Sequence, residues 1–154
     1  MKFFGKAISV LLAVAALSFG FSSCSDDDDE EELKVVATYY GVATGNIDDV
    51  PMIVKSTVRF YNSNEYTNDI DMTAVAGASV FSYTGTMELG TYTGDPTKDG
   101  TVKMTATKEY DFDAKKLKDI AAADRETEDF VISGGKVTEE DVFDDGTGIT
   151  LEKQ

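Results

Sequence analysis

The sequence predicts an all-β fold: a small antiparallel meander barrel of about seven or eight strands, with a β-sandwich as the alternative arrangement. Three observations carry this expectation. From residue 33 onward, β-branched and aromatic residues alternate with polar ones at a period of two. Gly, Asn and Asp interrupt that alternation at regular intervals, where turns need them. Helical periodicity is confined to one short stretch.

The elements follow in order. Residues 33–43 form the first strand, with Leu33, Val35, Ala37 and Tyr39 on one side. After a loop over residues 45–51, residues 52–61 place Met52, Val54, Val58 and Phe60 on a dry face, opposite Lys55, Thr57 and Arg59. Asn62-Ser63-Asn64 turns the chain into residues 65–73, where Tyr66, Ile70 and Met72 share a face, so 52–73 is a hairpin. Residues 80–93 are a longer strand with Phe81, Tyr83, Met87 and Leu89 on one parity, Tyr92 on the other, and Gly85 and Gly90 where it bends or bulges. The turn at 94–100 returns the chain through 101–110, with Val102, Met104 and Ala106 on one side. Residues 113–124 are the one expected helix, capped by Asp113, stapled by Phe112 and Leu117, and carrying a narrow stripe of Leu117, Ile120 and Ala121. Strands at 128–133, 136–138 and 147–153 complete the set, the first two joined at Gly134-Gly135.

The segment before this domain reads as an address. Lys2 and Lys6 precede the apolar run of residues 7–17, which has the profile of a secretory signal and is shorter than the roughly 20 residues of a membrane span. Phe21-Ser22-Ser23-Cys24 ends it with two small residues before the chain's only cysteine. Residues 1–23 are therefore expected to be a cleaved signal peptide, 24–32 a tether and 33–154 the folded domain. Without residues 1–23 the chain holds 12 Lys+Arg against 29 Asp+Glu, and seven of those acids lie in 26–32. That run has no apolar residue to bury and repels itself, so it should extend, reaching at most about 26 to 29 Å over eight residues. A domain this acidic repels phosphate backbones, which excludes nucleic acid as a partner. Disulfides are unavailable, so a hydrophobic core alone must offset the ordering entropy of roughly 120 residues, enough to bury about two thirds of the unfolded surface.

Phe21-Ser22-Ser23-Cys24 resembles the lipobox of bacterial lipoproteins. The resemblance implies that the Cys24 thiol takes a diacylglycerol group and that its freed amine is acylated with a palmitate-type chain, anchoring the protein to the outer membrane. Cys24 followed by Ser25, Asp26, Asp27, Asp28 and Asp29 resembles the export signal of Bacteroidota-type surface lipoproteins, which implies display on the cell surface, with the periplasmic face as the alternative. The run Thr57-Val58-Arg59-Phe60-Tyr61-Asn62-Ser63-Asn64-Glu65-Tyr66-Thr67, with Gly90-Thr91-Tyr92-Thr93-Gly94-Asp95 and Gly148-Ile149-Thr150-Leu151, is similar to the small lipocalin-like domains found on such lipoproteins. This implies a barrel that carries a small apolar ligand.

Chemistry has few places to reside. The chain has no histidine, which removes the commonest general base and the commonest zinc ligand together. Carboxylate pairs remain at Asp69/Asp71, Asp111/Asp113 and Asp144/Asp145; the first pair shares a strand face with Thr67 and Thr73, a solvated setting. The segment 95–106 begins like a calcium-binding EF-hand loop but ends in Ala106 where a bidentate Glu is required. No cofactor or metal is expected, Asp144 and Asp145 being the residues that would serve a calcium ion if one bound. The seven tyrosines sit in strand-like segments, and Tyr61 alone is expected to face outward, too little for a glycan platform. The inward set, Phe60, Tyr66, Ile70, Met72, Phe81, Tyr83, Met87, Leu89, Met104, Phe130 and Ile132, is bulky enough to fill a barrel of this size, with Ala37, Gly85 and Ala106 leaving room for a partial pocket. No carboxylate pair falls on an expected inner face. The sequence thus points to a non-catalytic binding or interaction module, its protein, glycan or small apolar partner not specified by any motif.

Overall fold

The computed structural model describes residues 32–75 and 81–154. They form one antiparallel sheet of nine strands: β1 (Val35–Ile47), β2 (Val50–Tyr61), β3 (Glu65–Ala74), β4 (Ser82–Thr93), β5 (Gly100–Asp111), β6 (Lys116–Asp119), β7 (Thr127–Ile132), β8 (Lys136–Glu139) and β9 (Ile149–Lys153). The strand order is β6-β5-β4-β3-β2-β1-β9-β8, and β7 continues along the β5 edge beside β6. β6 and β7 therefore act as one interrupted stave, and eight staves wrap around a common interior. The ring is not closed by a ladder. β7 and β8 are joined through Ser133 and Lys136, which exchange two backbone hydrogen bonds of 2.9 and 3.1 Å, and beyond that bridge they diverge. Asp99 braces the joint by accepting the N–H groups of Gly134 and Gly135 at 2.8 and 3.1 Å, both glycines having the positive φ that this turn requires.

Period-two alternation places the core. Met52, Val54, Val58 and Phe60 of β2 and Tyr66, Ile70 and Met72 of β3 are buried, as their parity demands. One end of the interior is an aromatic plug. Phe60 packs edge-on against Tyr39, Tyr92 and Phe130 with centroids 4.9 to 6.2 Å apart, and the Tyr39 hydroxyl donates to the Pro96 carbonyl at 2.8 Å. Toward the start of β4, half-buried Tyr83 and Phe112 pack against the core and form a three-ring cluster with Tyr110. Phe143 lies over Gly45 so closely that a Cβ there would sit 2.4 Å from its ring, which is why β1 carries glycine at that position.

Several expectations are corrected. The loop expected at 45–51 is a two-residue hairpin turn, Asp48-Asp49, with both residues at positive φ; β1 runs unbroken to Ile47. The expected helix over 113–124 is instead the hairpin strand β6 and a single 3-10 turn, Ala122–Asp124. Lys115 at φ 53° interrupts any helix there, Asp111 rather than Asp113 caps the turn by accepting the Ala114 N–H, and Leu117 pairs across to Tyr110. The apolar stripe was too narrow to stabilise a helix against strand pairing on the β5 edge. Val80, expected to open the fourth strand, lies outside the described residues, and β4 begins at Ser82.

Candidate functional site

The interior is not uniformly apolar. Between the aromatic plug and the methionine-rich far end lies a polar layer built from five staves. Ser56 comes from β2 and Asn68 from β3, each with no measurable exposure, and the Ser56 hydroxyl donates to Asn68 Oδ1 at 3.1 Å. Glu88 of β4 is the register partner of Asn68, Glu128 of β7 is that of Met104, and Glu139 of β8, 5 % exposed, is that of Ile149. Tyr66, one rung from Asn68, donates its hydroxyl to Glu88 Oε1.

One bulge turns Glu88 inward. The β3–β4 register shifts between Asn68 and Asp69, which leaves Met87 as the extra residue of β4; the second shift, at Leu89 and Gly90, adds Thr107 to β5. Each extra residue reverses the side to which later side chains point. Glu88 therefore joins Gly90 and Tyr92 on the inner face, while Leu89, expected inside, lies between Thr67 and Lys108 on the outer one. None of the three carboxylate pairs read from the sequence is on the inner face; the carboxylates on the inner parity are the single residues Glu88, Glu128 and Glu139.

The electrostatics follow from that burial. Desolvation is the main cause raising the Glu88 carboxyl to about 7; the charges of Glu128 and Glu109 add to it and the Tyr66 hydrogen bond opposes it. Desolvation also raises Glu139 to about 7, with Glu88 and Glu128 adding to it. Burial pushes the Tyr66 hydroxyl well above its ordinary range, and Glu88 reinforces that. Among the described residues, three buried side-chain atoms have no hydrogen-bond partner: Asn68 Nδ2 and Glu139 Oε1 in this layer, and Thr67 Oγ1 on the outer parity of β3. Leaving such an atom unpaired costs about 1 to 3 kcal/mol. The layer lies beside the diverging β7–β8 joint, because Glu128 and Glu139 come from the two strands that part there.

The residues singled out by sequence are placed elsewhere. Asp69 and Asp71 lie on the outer face, where Asp69 pairs with Arg59 and Asp71 with Lys55 at 2.9 Å. Asp111 pairs with Lys118 and caps its turn. Asp144 accepts the N–H groups of Asp48 and Asp49 at 3.2 and 3.0 Å, and Asp145 accepts from the Thr147 N–H and hydroxyl, so both carboxylates point at donors in the manner of turn caps. Asp95, in the EF-hand-like loop, binds Thr97 and Lys98. Among the described residues, no group of His, Cys, Asp or Glu is arranged to hold a metal ion. The space expected beside Gly85 is taken by the Tyr83 phenol, whose oxygen would lie 3.0 Å from a Cβ there. Cys24 and Ser25, Asp26, Asp27, Asp28 and Asp29 lie outside the described residues.

Comparison with known protein families, with characterised proteins and with solved structures finds no match to this chain.

Proposed function

We propose that this chain is a lipid-anchored outer-membrane lipoprotein, displayed at the cell surface through Cys24 and its acidic tether, and that its domain is a non-catalytic binding module for a small polar ligand. The observation that carries the binding reading is the pair of orphaned polar atoms, Asn68 Nδ2 and Glu139 Oε1, in the middle of an otherwise apolar interior. A spacer would be more stable with apolar residues there. A polar ligand seated in the layer satisfies both atoms.

The same layer favours a polar ligand over the apolar one that a lipocalin-like carrier would hold, since both ends of the interior are filled by the protein's own side chains. A non-catalytic role is supported by the similarity of the carboxyls. Acid and base work needs environments that drive two groups apart, whereas burial raises Glu88 and Glu139 in the same direction.

The test is a thermal-shift screen of the full chain in detergent against polyols, amines, sugars and fatty acids. Stabilisation by a polar class, lost in Asn68→Leu, supports the reading; stabilisation by fatty acids alone contradicts it. Mass spectrometry of the membrane form should show an acylated Cys24 at the mature terminus. Impermeant protease added to intact cells should remove the domain, and Asp26–Asp29→Ala should protect it.

A further inference from the structure

We propose that Asn62 is a positioning residue that grips the end of the membrane tether, shortening its reach so that the barrel end formed by the Asp48-Asp49 turn and the β5–β6 hairpin stays turned away from the membrane. The inference deepens the lipid-anchor reading above and rests on it.

The grip is made by backbone and side chain of one residue. The Asn62 N–H donates to the Lys34 carbonyl at 2.9 Å, its Oδ1 accepts the Lys34 N–H at 2.9 Å, and its Nδ2 donates to the Glu32 carbonyl at 3.2 Å. Together these reproduce the exchange that a neighbouring strand would make. β1 and β2 pair from Val35 and Tyr61 onward, and Asn62 carries the pairing past the end of that ladder onto residues 32–34. The β2–β3 turn does not need these bonds. It is closed separately, by the Asn64 N–H on the Tyr61 carbonyl at 3.1 Å and by Asn64 at φ 62°.

Lengths decide what the grip does. β1 is 13 residues long. At about 3.3 Å per residue and a barrel tilt of about 40°, its two ends differ in height by roughly 30 Å. From Cys24 to the gripped Glu32 the chain can span at most about 26 to 29 Å. To invert the barrel and bring its far end to the lipid, the point where the tether leaves the fold must rise by roughly 30 Å, which exceeds that reach. Released as far as Val35, the tether could span about 36 to 40 Å, and inversion becomes possible. Glu32, Leu33 and Lys34 therefore separate a domain with a constant outer end from one that can turn over. The Lys34–Glu32 ion pair, at 3.6 Å between exposed side chains, adds little to the grip.

The experiment places the full acylated chain in phosphatidylcholine vesicles that carry an acceptor-labelled lipid. A donor dye is attached through Lys98→Cys, in the β4–β5 turn at the end where the tether leaves, or through Ala114→Cys, in the β5–β6 turn at the other; both positions are exposed. Lipidation consumes the Cys24 thiol, so the introduced thiol alone reacts. Energy transfer to the lipid should be at least about twofold greater from position 98 than from position 114, for a height difference of roughly 30 Å. Asn62→Ala should raise transfer from position 114 toward that from position 98, and exchange of the Lys34 amide, which loses its acceptor, should quicken about fivefold. Asn62→Asp, which keeps that acceptor but loses the donor to Glu32, should fall between the two. Faster Lys34 exchange with transfer from position 114 unchanged would make Asn62 a local turn residue and overturn the proposal. Equal transfer from both positions in the chain with Asn62 intact would overturn it too, and leave the anchor standing. An unmodified Cys24 by mass spectrometry, with no transfer from either position, would remove the anchor and this proposal together.

Discussion

Asn68 and Asp69 are adjacent in the chain and meet opposite surroundings. Asp69 points outward, pairs with Arg59 and accepts the Thr86 hydroxyl at 2.7 Å; its outer neighbour Asp71 is held below the usual carboxylate range by its hydrogen bond to Lys55. Asn68 points inward, opposite Glu88, whose carboxyl burial raises. The outer wall repeats the first solution across other staves, with Lys103–Asp129 between β5 and β7 and Lys136–Glu152 between β8 and β9 directly across the ladder. The same residue type is thus an ordinary partner on one face and a high-energy group on the other. Most of the folded chain's basic side chains are committed to ion pairs on the outer wall.

The sharpest test of that contrast is pH. A carboxyl raised from 4.5 to about 7 in the fold is protonated there when its unfolded counterpart is not. Stability is therefore lost as pH climbs from about 4.5 to about 7, by at most about 3 kcal/mol for each of Glu88 and Glu139. Asp71 on the outer face is lowered and contributes in the opposite sense, its stabilisation disappearing only as pH falls below about 3.8. Urea unfolding should accordingly show greatest stability near pH 4 to 5. In Glu88→Gln/Glu139→Gln the decline toward pH 7 should flatten; an unchanged decline would assign it to the surface charge.

A fourth inner acid comes next. Asn68→Asp should destabilise the chain by about 2 to 3 kcal/mol at pH 7.5, and much less at pH 4.5, because a charge there would be buried opposite the Glu88 carboxyl. Asp99→Asn should cost less than that. Its signature is local: faster hydrogen exchange at the Gly134 and Gly135 amides, whose acceptor it weakens. Smallest of all, Asp69→Asn weakens a half-exposed pair and should change stability by roughly 0.5 kcal/mol, reduced by added salt. A larger loss for Asp69→Asn than for Asn68→Asp would reverse the comparison.

Much of this inner layer was legible in the sequence, and part was not. Ser56 lies in register with Met52, Val54, Val58 and Phe60, and Asn68 with Tyr66, Ile70 and Met72, so the polar members of two apolar parities were readable. Glu128 shares parity with Phe130 and Ile132, and Glu139 with Val137, by the same rule. Glu88 was not legible, since it faces inward only because Met87 bulges where the β3–β4 register shifts, and nothing in the alternation of β4 marks that bulge. The hairpins at 62–64 and 94–99 were announced by Asn, Gly and Pro, whereas Asp48-Asp49 adopts positive φ without glycine and is braced by Asp144, far away in sequence. The stretch 113–124 misled because local propensity favours a helix there and the free β5 edge favours a strand.

The path of the chain around the ring also governs when the ring can complete. Neighbouring staves from β1 to β5 are consecutive hairpins, which can zip in sequence order. The β1–β9 ladder, and the Asp144 brace on the first turn 96 residues away, join segments that meet only after nearly all the intervening chain has collapsed. Such a high contact order sets folding on the slow, millisecond-to-second scale of non-local β topologies. Until that ladder forms, the free flank of β1 is an unpaired strand bearing the exposed Tyr40 and Val42, the segment most open to pairing with another copy.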